Sequence, residues 1–237
     1  MKYAVQLYSL RYYIEENGLE KTFEVIKNAG FKGVEFAGFY GLSAQEIKKL
    51  FNKYSLEAVS AHINVYDYKN DLEIIKELGI KTPIISYIDF NGTISIDEGV
   101  EKCKNEIVQF KINGLNLGYH NHAHEFKNGR DAIDELVKNI PEILLELDVF
   151  WLAVANIKPT NYIKKYKSRL KYLHLKELGE SKDDFNPVLG DGNADIAEVI
   201  KLGKELSIEW AILEVEKVNM PMAEYLTKCY QFIKNFI

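Results

Sequence analysis

The feature that most constrains this chain is a regular alternation between short β-rich runs and longer segments of helical periodicity. The alternation continues to the C-terminus without a Pro-rich or Gly/Ser-rich hinge and without a low-complexity tract. Such a pattern is typical of parallel α/β proteins, in which a helix returns the chain to the start of the next strand. Eight strands are predicted, at residues 3–7, 33–36, 57–62, 82–86, 115–120, 143–148, 172–175 and 211–215.

The intervening segments place apolar residues three or four positions apart, as amphipathic helices do. Clear examples are residues 19–29, 44–54, 71–78 and 96–111. Ser43, followed by Glu46, is expected to cap a helix N-terminus, and Gly30 and Gly79 are expected to end helices. These segments are therefore predicted to be the outer helices of the fold.

Repeats of about 30 residues give eight β-α units, the number at which a parallel sheet closes into a (β/α)8 TIM barrel. We therefore predict a single barrel domain over residues 1–237. An open doubly wound sheet is the alternative. It is disfavoured because the first strand continues as Gln-Leu-Tyr-Ser-Leu at residues 6–10, with no glycine-rich phosphate loop.

Charge and composition exclude several classes of function. The formal net charge is -5, so the chain lacks the positive field that binds nucleic acid. No apolar run is long enough for a membrane span, and the N-terminus lacks the continuous apolar stretch of a signal peptide. Cys103 and Cys229 fall in predicted helices and are expected to be reduced. We therefore expect a cytoplasmic protein with a small-molecule substrate, and we leave a homo-oligomer open.

Active sites of such barrels form at the C-terminal ends of the strands, so polar residues that end apolar runs are the candidates. Asp148, His174 and Glu214 stand at three successive strand ends. Taken singly, each has an ordinary explanation: a helix cap, a hydrogen-bonded core histidine or a solvated strand end. Together, two carboxylates and an imidazole are typical of a divalent cation site with open positions. We expect one such ion, of Mn, Co, Zn, Fe or Mg.

Other polar residues accompany these three. By the two-residue period of a strand, Lys176 shares a face with His174, and Glu216 shares a face with Glu214. His120 and His122 follow the fifth strand and could present two nitrogens to one metal or substrate, although a surface loop remains an alternative. The Gly-Asp-Gly-Asn run at residues 190–193 is expected to be either a substrate-covering turn or an ordinary surface turn.

These residues resemble a known family, the sugar phosphate isomerase/epimerase group of the xylose isomerase-like TIM barrels. The likeness covers most of the chain, and its most specific property is the order in which the matching segments occur. It lies in the segments 5–11 (VQLYSLR), 33–36 (GVEF), 118–122 (GYHNH), 146–151 (ELDVFW), 174–177 (HLKE), 190–193 (GDGN) and 213–216 (LEVE).

The resemblance implies that Asp148, His174 and Glu214 match three metal ligands of the family. Many relatives take a fourth ligand from a Glu on the fifth strand. Here that position lies in a Tyr-His-Asn-His motif, so His120 is the first candidate and His122 the second. The remaining roles are assigned by position: the predicted catalytic residues are Glu214, Lys176 and Glu35, and the predicted substrate-binding residues are Gln6, His62, His122 and Glu216.

Three functions follow as hypotheses. The main one is a metal-dependent isomerase or epimerase that moves a proton on a small sugar, sugar phosphate or polyol through an enediolate. The alternative is a metal-dependent dehydratase of a polyol ketone of the inosose or dehydroshikimate type. The missing strand-five Glu weakens two-base epimerisation and favours a dehydratase or a one-base isomerase. The third is a non-catalytic sugar-binding barrel. A DNA-repair endonuclease is disfavoured, because it would need about three zinc ions and a basic groove.

Overall fold

Eight parallel strands close into a barrel in sequence order, as the alternation predicted. The structure is a computed structural model that describes residues 1–90 and 92–237, and of Asn128 only the backbone. Each strand pairs in parallel with the next, and β8 pairs with β1 to complete the ring. The strands are β1 Lys2–Gln6, β2 Gly33–Ala37, β3 Glu57–Ile63, β4 Ile84–Ile85, β5 Gly118–His120, β6 Leu144–Asp148, β7 Leu170–Leu175 and β8 Trp210–Leu213.

Helices follow the strands and surround the barrel, and the four amphipathic segments singled out in the sequence are all helical. Ser43 forms the predicted capping box with Glu46, and Gly30 ends the first helix at φ 116°. The α-helices of the described chain are α1 Arg11–Ala29, α2 Ala44–Tyr54, α3 Leu72–Glu77, α4 Ile96–Ile112, α5 Ala132–Asn139, α6 Val149–Val154, α7 Pro159–Lys165, α8 Ile196–Glu205 and α9 Met222–Lys234. Within that part of the chain, no helix is both long and apolar enough to cross a membrane.

The barrel interior changes from apolar to polar along the strand direction. Its N-terminal end is filled by a buried apolar layer of Ala4, Val59, Ile84, Tyr172, Trp210 and Ile212. Two residues further along the same strands, the inward positions become Gln6, His174 and Glu214, all buried. Because side chains alternate along a strand, residues two positions apart point to the same side. An inward apolar residue near the bottom of the barrel is therefore followed by an inward polar residue near the top. The fold thus collects polar groups at the C-terminal mouth.

Candidate metal centre and active-site cavity

Four buried side chains from consecutive strand ends meet at the barrel mouth. Ligand atoms of His120, Asp148, His174 and Glu214 all lie within 4.8 Å of one another. Asp148 and His174 are direct partners in the register of β6 and β7, which brings their side chains to the same level. Closure of the barrel therefore brings these sequence-distant residues together as a candidate ligand set.

Several atoms of this group face one another without forming the hydrogen bonds that would satisfy them. His174 Nδ1 lies 3.1 Å from Glu214 Oε2 and 3.9 Å from Asp148 Oδ2, and His120 Nε2 lies 3.5 Å from that same Asp148 oxygen. Among the described residues, Asp148 Oδ2, His174 Nδ1 and both ring nitrogens of His120 have no hydrogen-bond partner. Buried polar atoms are rarely left unpaired, so the donor set fits a divalent ion bound between them.

Electrostatics favour the same conclusion. Burial alone would raise the pKa of Glu214, but Lys176 and His174 hold that pKa well below its ordinary value, so the carboxylate is ionised. Burial would likewise lower the pKa of His174, but Glu146, Glu35 and Glu214 raise it well above its ordinary value. The site therefore attracts positive charge strongly, and a cation would satisfy that demand.

Asp148 is held by hydrogen bonds to the first turn of α6 and to the residue that follows β5. One carboxylate oxygen, Oδ1, accepts a hydrogen bond from the Trp151 amide at 3.1 Å and caps α6. The Asn121 side chain accepts from the Asp148 amide at 2.9 Å and donates to the Asp148 carbonyl at 3.2 Å. Only Oδ2 is left for a metal, and its direction is fixed by these contacts.

Beneath the metal centre lies a second layer of buried polar groups. Glu35 Oε2 is 2.6 Å from His174 Nε2 and also accepts from Gln6 Nε2 at 2.7 Å. Glu146 Oε2 is 2.7 Å from His62 Nε2 and 3.1 Å from His174 Nε2. These are hydrogen-bonding distances. A proton on Nε2 of His174, shared with Glu35, leaves Nδ1 free to face the metal centre.

A cavity of about 360 Å³ opens above the metal centre. Its wall includes five of the predicted site residues and several hydrogen-bonding groups that suit a polyol. The lining residues are Tyr8, Ala37, His62, Ile63, Asn64, Ser86, Tyr87, His120, His122, Glu214 and Glu216. Gln6 and Glu35 do not belong to this wall, because they lie in the layer below and bond to each other.

Lys176 lies behind the cavity wall, with its side chain fully buried. Its ammonium is 3.2 Å from Glu214 Oε1 and 2.7 Å from Glu216 Oε1. It also lies 4.6 Å and 4.8 Å from the ring centroids of Phe150 and Trp151. Burial would lower the pKa of Lys176, but the charges of Glu214, Asp148 and Glu216 raise it. The lysine thus carries a positive charge that is held in place behind the cavity wall.

A third histidine and carboxylate group, His122, His124 and Glu125, is bonded into the surrounding fold. Glu125 accepts from the Tyr119 hydroxyl and from the His122 amide, both at 2.9 Å. His124 Nε2 lies 2.8 Å from the Ile88 carbonyl. Burial raises the pKa of Glu125 to about 7 despite these hydrogen bonds. The group fixes the loop that carries His122 to the cavity wall.

The predicted site residues do not include Glu146 or Ser60, which are both buried. Glu146 stands two residues before Asp148, so the two-residue period would have placed it on the same inward face. Ser60 hydrogen-bonds to Glu35 from the neighbouring strand. Nothing in the sequence pairs Ser60 with Glu35, because that contact depends on a register shift between β2 and β3.

Comparisons with known proteins agree with this fold. An inosose dehydratase of Clostridium beijerinckii is 25% identical over 270 aligned positions, which cover 93% of this chain and 90% of that protein. A solved sugar phosphate isomerase/epimerase of Parabacteroides distasonis superposes with a TM-score of 0.81 at 21% identity, covering 98% of this chain and 93% of that one. No known family profile matches the chain.

A further solved structure shares the fold. The IolI protein, solved with a bound zinc atom, superposes with a TM-score of 0.80 at 14% identity and covers 99% of this chain and 97% of that one. At these identities the solved structures establish the fold. This chain therefore has the xylose isomerase-like TIM-barrel fold that its motifs predicted.

Proposed function

We propose that this protein is a metal-dependent lyase that removes water from a cyclic polyol ketone. The observation that carries the proposal is the buried set of His120, Asp148, His174 and Glu214 at the floor of a cavity lined by hydrogen-bonding side chains. Sequence relatives named inosose dehydratases, which match over nearly the whole chain, support a dehydration in preference to the isomerisation that was our main expectation.

His120, Asp148, His174 and Glu214 would hold the metal ion. When bound, a divalent cation supplies a Lewis acid that stabilises negative charge developing on a ketone oxygen. Glu35 lies beyond the ligand set and orients His174 through Nε2, so we propose a positioning role for it. Gln6 donates to Glu35 and belongs to the same supporting layer.

Glu216 is proposed to take the proton from the carbon next to the ketone. Both carboxylates beside Lys176 line the cavity, but the Glu216 side chain is 35% exposed and that of Glu214 is 7% exposed. The low pKa of Glu214 makes it a poor proton acceptor, so we assign the proton transfer to Glu216 although Glu214 was the predicted catalytic carboxylate. Lys176 donates to both carboxylates and orients them from behind the wall.

His62 is proposed to protonate the departing hydroxyl group. Burial lowers the pKa of His62, but Glu35 and Glu146 together raise it above its ordinary value. In the imidazolium form Nε2–H donates to Glu146 and the second N–H remains available to the substrate. The hydroxyl leaves as water with the proton from His62, while Glu216 keeps the proton from carbon until solvent removes it.

The test is an assay of Mn-loaded protein against inososes and dehydroshikimate, following the absorbance of the unsaturated product. Glu216→Gln is expected to lower kcat by about 10²–10⁴-fold with metal content unchanged. Glu214→Gln is expected to lose the metal as well. Exchange of a substrate C–H with solvent deuterium, without loss of water from any ketone, would favour an isomerase and overturn the lyase. Full metal occupancy in Asp148→Ala would overturn the ligand set.

A further inference from the structure

A second cavity of about 490 Å³ adjoins the first at the barrel mouth. The two cavities share Tyr87 and His122 as wall residues. Since the His122 ring lies 4.8 Å from the ring of His120, the second cavity begins one side chain away from the proposed metal ligands. A molecule bound in the first cavity could extend into the second without leaving the protein surface.

The walls of the second cavity differ chemically from those of the first. Trp151, Phe126, Val154 and Ala155 supply aromatic and aliphatic surface, and Lys127 and Lys182 stand at the exposed rim. The first cavity, in contrast, presents hydroxyl, imidazole, amide and carboxylate groups beside the apolar Ala37 and Ile63. Aromatic walls of this kind bind flat or apolar rings, whereas convergent polar groups bind hydroxylated ones.

The aromatic wall is fixed relative to the metal centre. The amide of Trp151 donates to Asp148, and its ring lies 4.8 Å from the Lys176 ammonium and 5.3 Å from the His122 ring. Phe126 packs edge-on against Tyr162 with ring centroids 5.5 Å apart. A preorganised surface loses little conformational freedom on binding, so its contacts contribute to affinity.

We propose that the substrate has two parts, a polyol ketone ring that occupies the first cavity and an attached aromatic or apolar ring that occupies the second. This inference rests on the proposed function for the chemistry in the first cavity. It adds a substrate class, because a free inosose would leave the second cavity empty. Trp151 and Phe126 are then specificity-determining residues for the attached ring.

The proposal is tested by calorimetric titration of the Mn-loaded protein with phenyl β-D-glucopyranoside and methyl β-D-glucopyranoside. The phenyl compound is expected to bind at least about 10-fold more tightly, because its ring buries apolar surface that the methyl group cannot. Ala155→Phe, which fills the second cavity, is expected to abolish the difference and leave the methyl compound unaffected. Val154→Phe provides a second blocking variant on α6, and Val108→Phe, exposed on α4, is the matched control.

Equal binding of the two glycosides, binding of neither, or a preference that survives in both blocking variants would overturn the two-part substrate. These outcomes are separable from failure of the proposed function. Metal content and dehydration of a free inosose are measured on the same protein, and either can succeed or fail without the second cavity taking part.

Discussion

At the scale of single residues, His174 connects the two polar layers of the barrel. Its Nδ1 faces Glu214 and its Nε2 faces Glu35, with no exposed surface on the side chain. A histidine that binds a metal through one nitrogen usually donates the other N–H to a carboxylate, which fixes its tautomer and raises its basicity. Glu35 satisfies that requirement here, so its effect on metal binding can be measured without touching a proposed ligand.

Glu35→Gln is expected to weaken metal binding by about 10–100-fold. The substitution removes the negative charge that holds the Nε2 proton of His174 while keeping the size of the side chain. The measurement is competition for Zn or Mn with a chromophoric chelator. Glu57→Gln, at an exposed ion pair with Lys2, is the control and should leave affinity unchanged. Unaltered affinity in Glu35→Gln would contradict the positioning role.

Glu125 gives a pH prediction. Its folded-state pKa of about 7 exceeds that of an exposed glutamate, about 4.3. Between these values the folded chain binds more protons than the unfolded chain, so the free energy of unfolding falls as pH rises from about 4.3 to 7. The loss should be about 4 kcal/mol.

Urea denaturation of the wild type and of Glu125→Gln, followed across this pH range, isolates the effect. The stability difference between the two proteins should move in favour of the variant as pH increases and level off above pH 7. A difference that does not depend on pH would show that Glu125 does not titrate in this range.

At the scale of elements, the glycine-containing turn after β7 is tied down rather than placed over the substrate. Glu177 Oε1 accepts from the Ala194 amide at 2.8 Å, and Glu177 Oε2 accepts from the Gly190 amide at 2.9 Å. The turn is not part of either cavity wall. Of the two expectations for residues 190–193, the structure supports a structural turn.

Gly192→Ala is expected to destabilise the protein by at least about 2 kcal/mol. A Cβ at this position would lie 2.3 Å from the backbone oxygen of Leu178, and a backbone atom cannot move aside as a flexible side chain can. Gly92→Ala is the control, since no atom of the described residues lies within 4 Å of its added Cβ. Thermal denaturation of both variants provides the measurement, and equal melting temperatures would contradict the close approach at Gly192.

At the scale of the whole molecule, metal binding should be coupled to folding. The proposed ligands come from β5 to just beyond β8 and meet only when the barrel is closed. An ion that binds the folded chain but not the unfolded chain stabilises the fold by about 2.7 kcal/mol when the ion concentration is 100 times its dissociation constant. For a chain of this size that corresponds to a rise in Tm of about 5–10 °C.

The prediction is a rise in Tm when Mn or Zn is added to chelator-treated wild type, with no rise in Asp148→Ala. Asp183→Ala, an exposed carboxylate paired with Lys182, should respond like the wild type. Scanning calorimetry provides the measurement. If the wild type and Asp148→Ala show the same metal response, the ion does not bind at the proposed centre.

Much of the fold could be predicted from the sequence by itself, for a physical reason. Alternation of strand and helix periods is local, so the positions of all eight strands could be predicted within a few residues. The C-terminal location of the site follows from the fold class, and this selected Asp148, His174 and Glu214. His120 was selected as the first candidate for a fourth ligand, and the structure places it beside them; its role as a ligand stays a prediction.

Tertiary structure decided what depends on register and closure. The sequence predicts site roles for Gln6, Glu35 and Lys176 because they lie at strand ends. The two-residue period gives the face on which a side chain lies, but not its depth along the barrel axis. Pairing between strands places Gln6 and Glu35 one layer below the cavity and Lys176 behind its wall. The second cavity depends on Trp151 and Phe126 approaching from different loops. Local periodicity can be detected in the sequence, whereas the depth and adjacency of side chains are set only when the sheet closes.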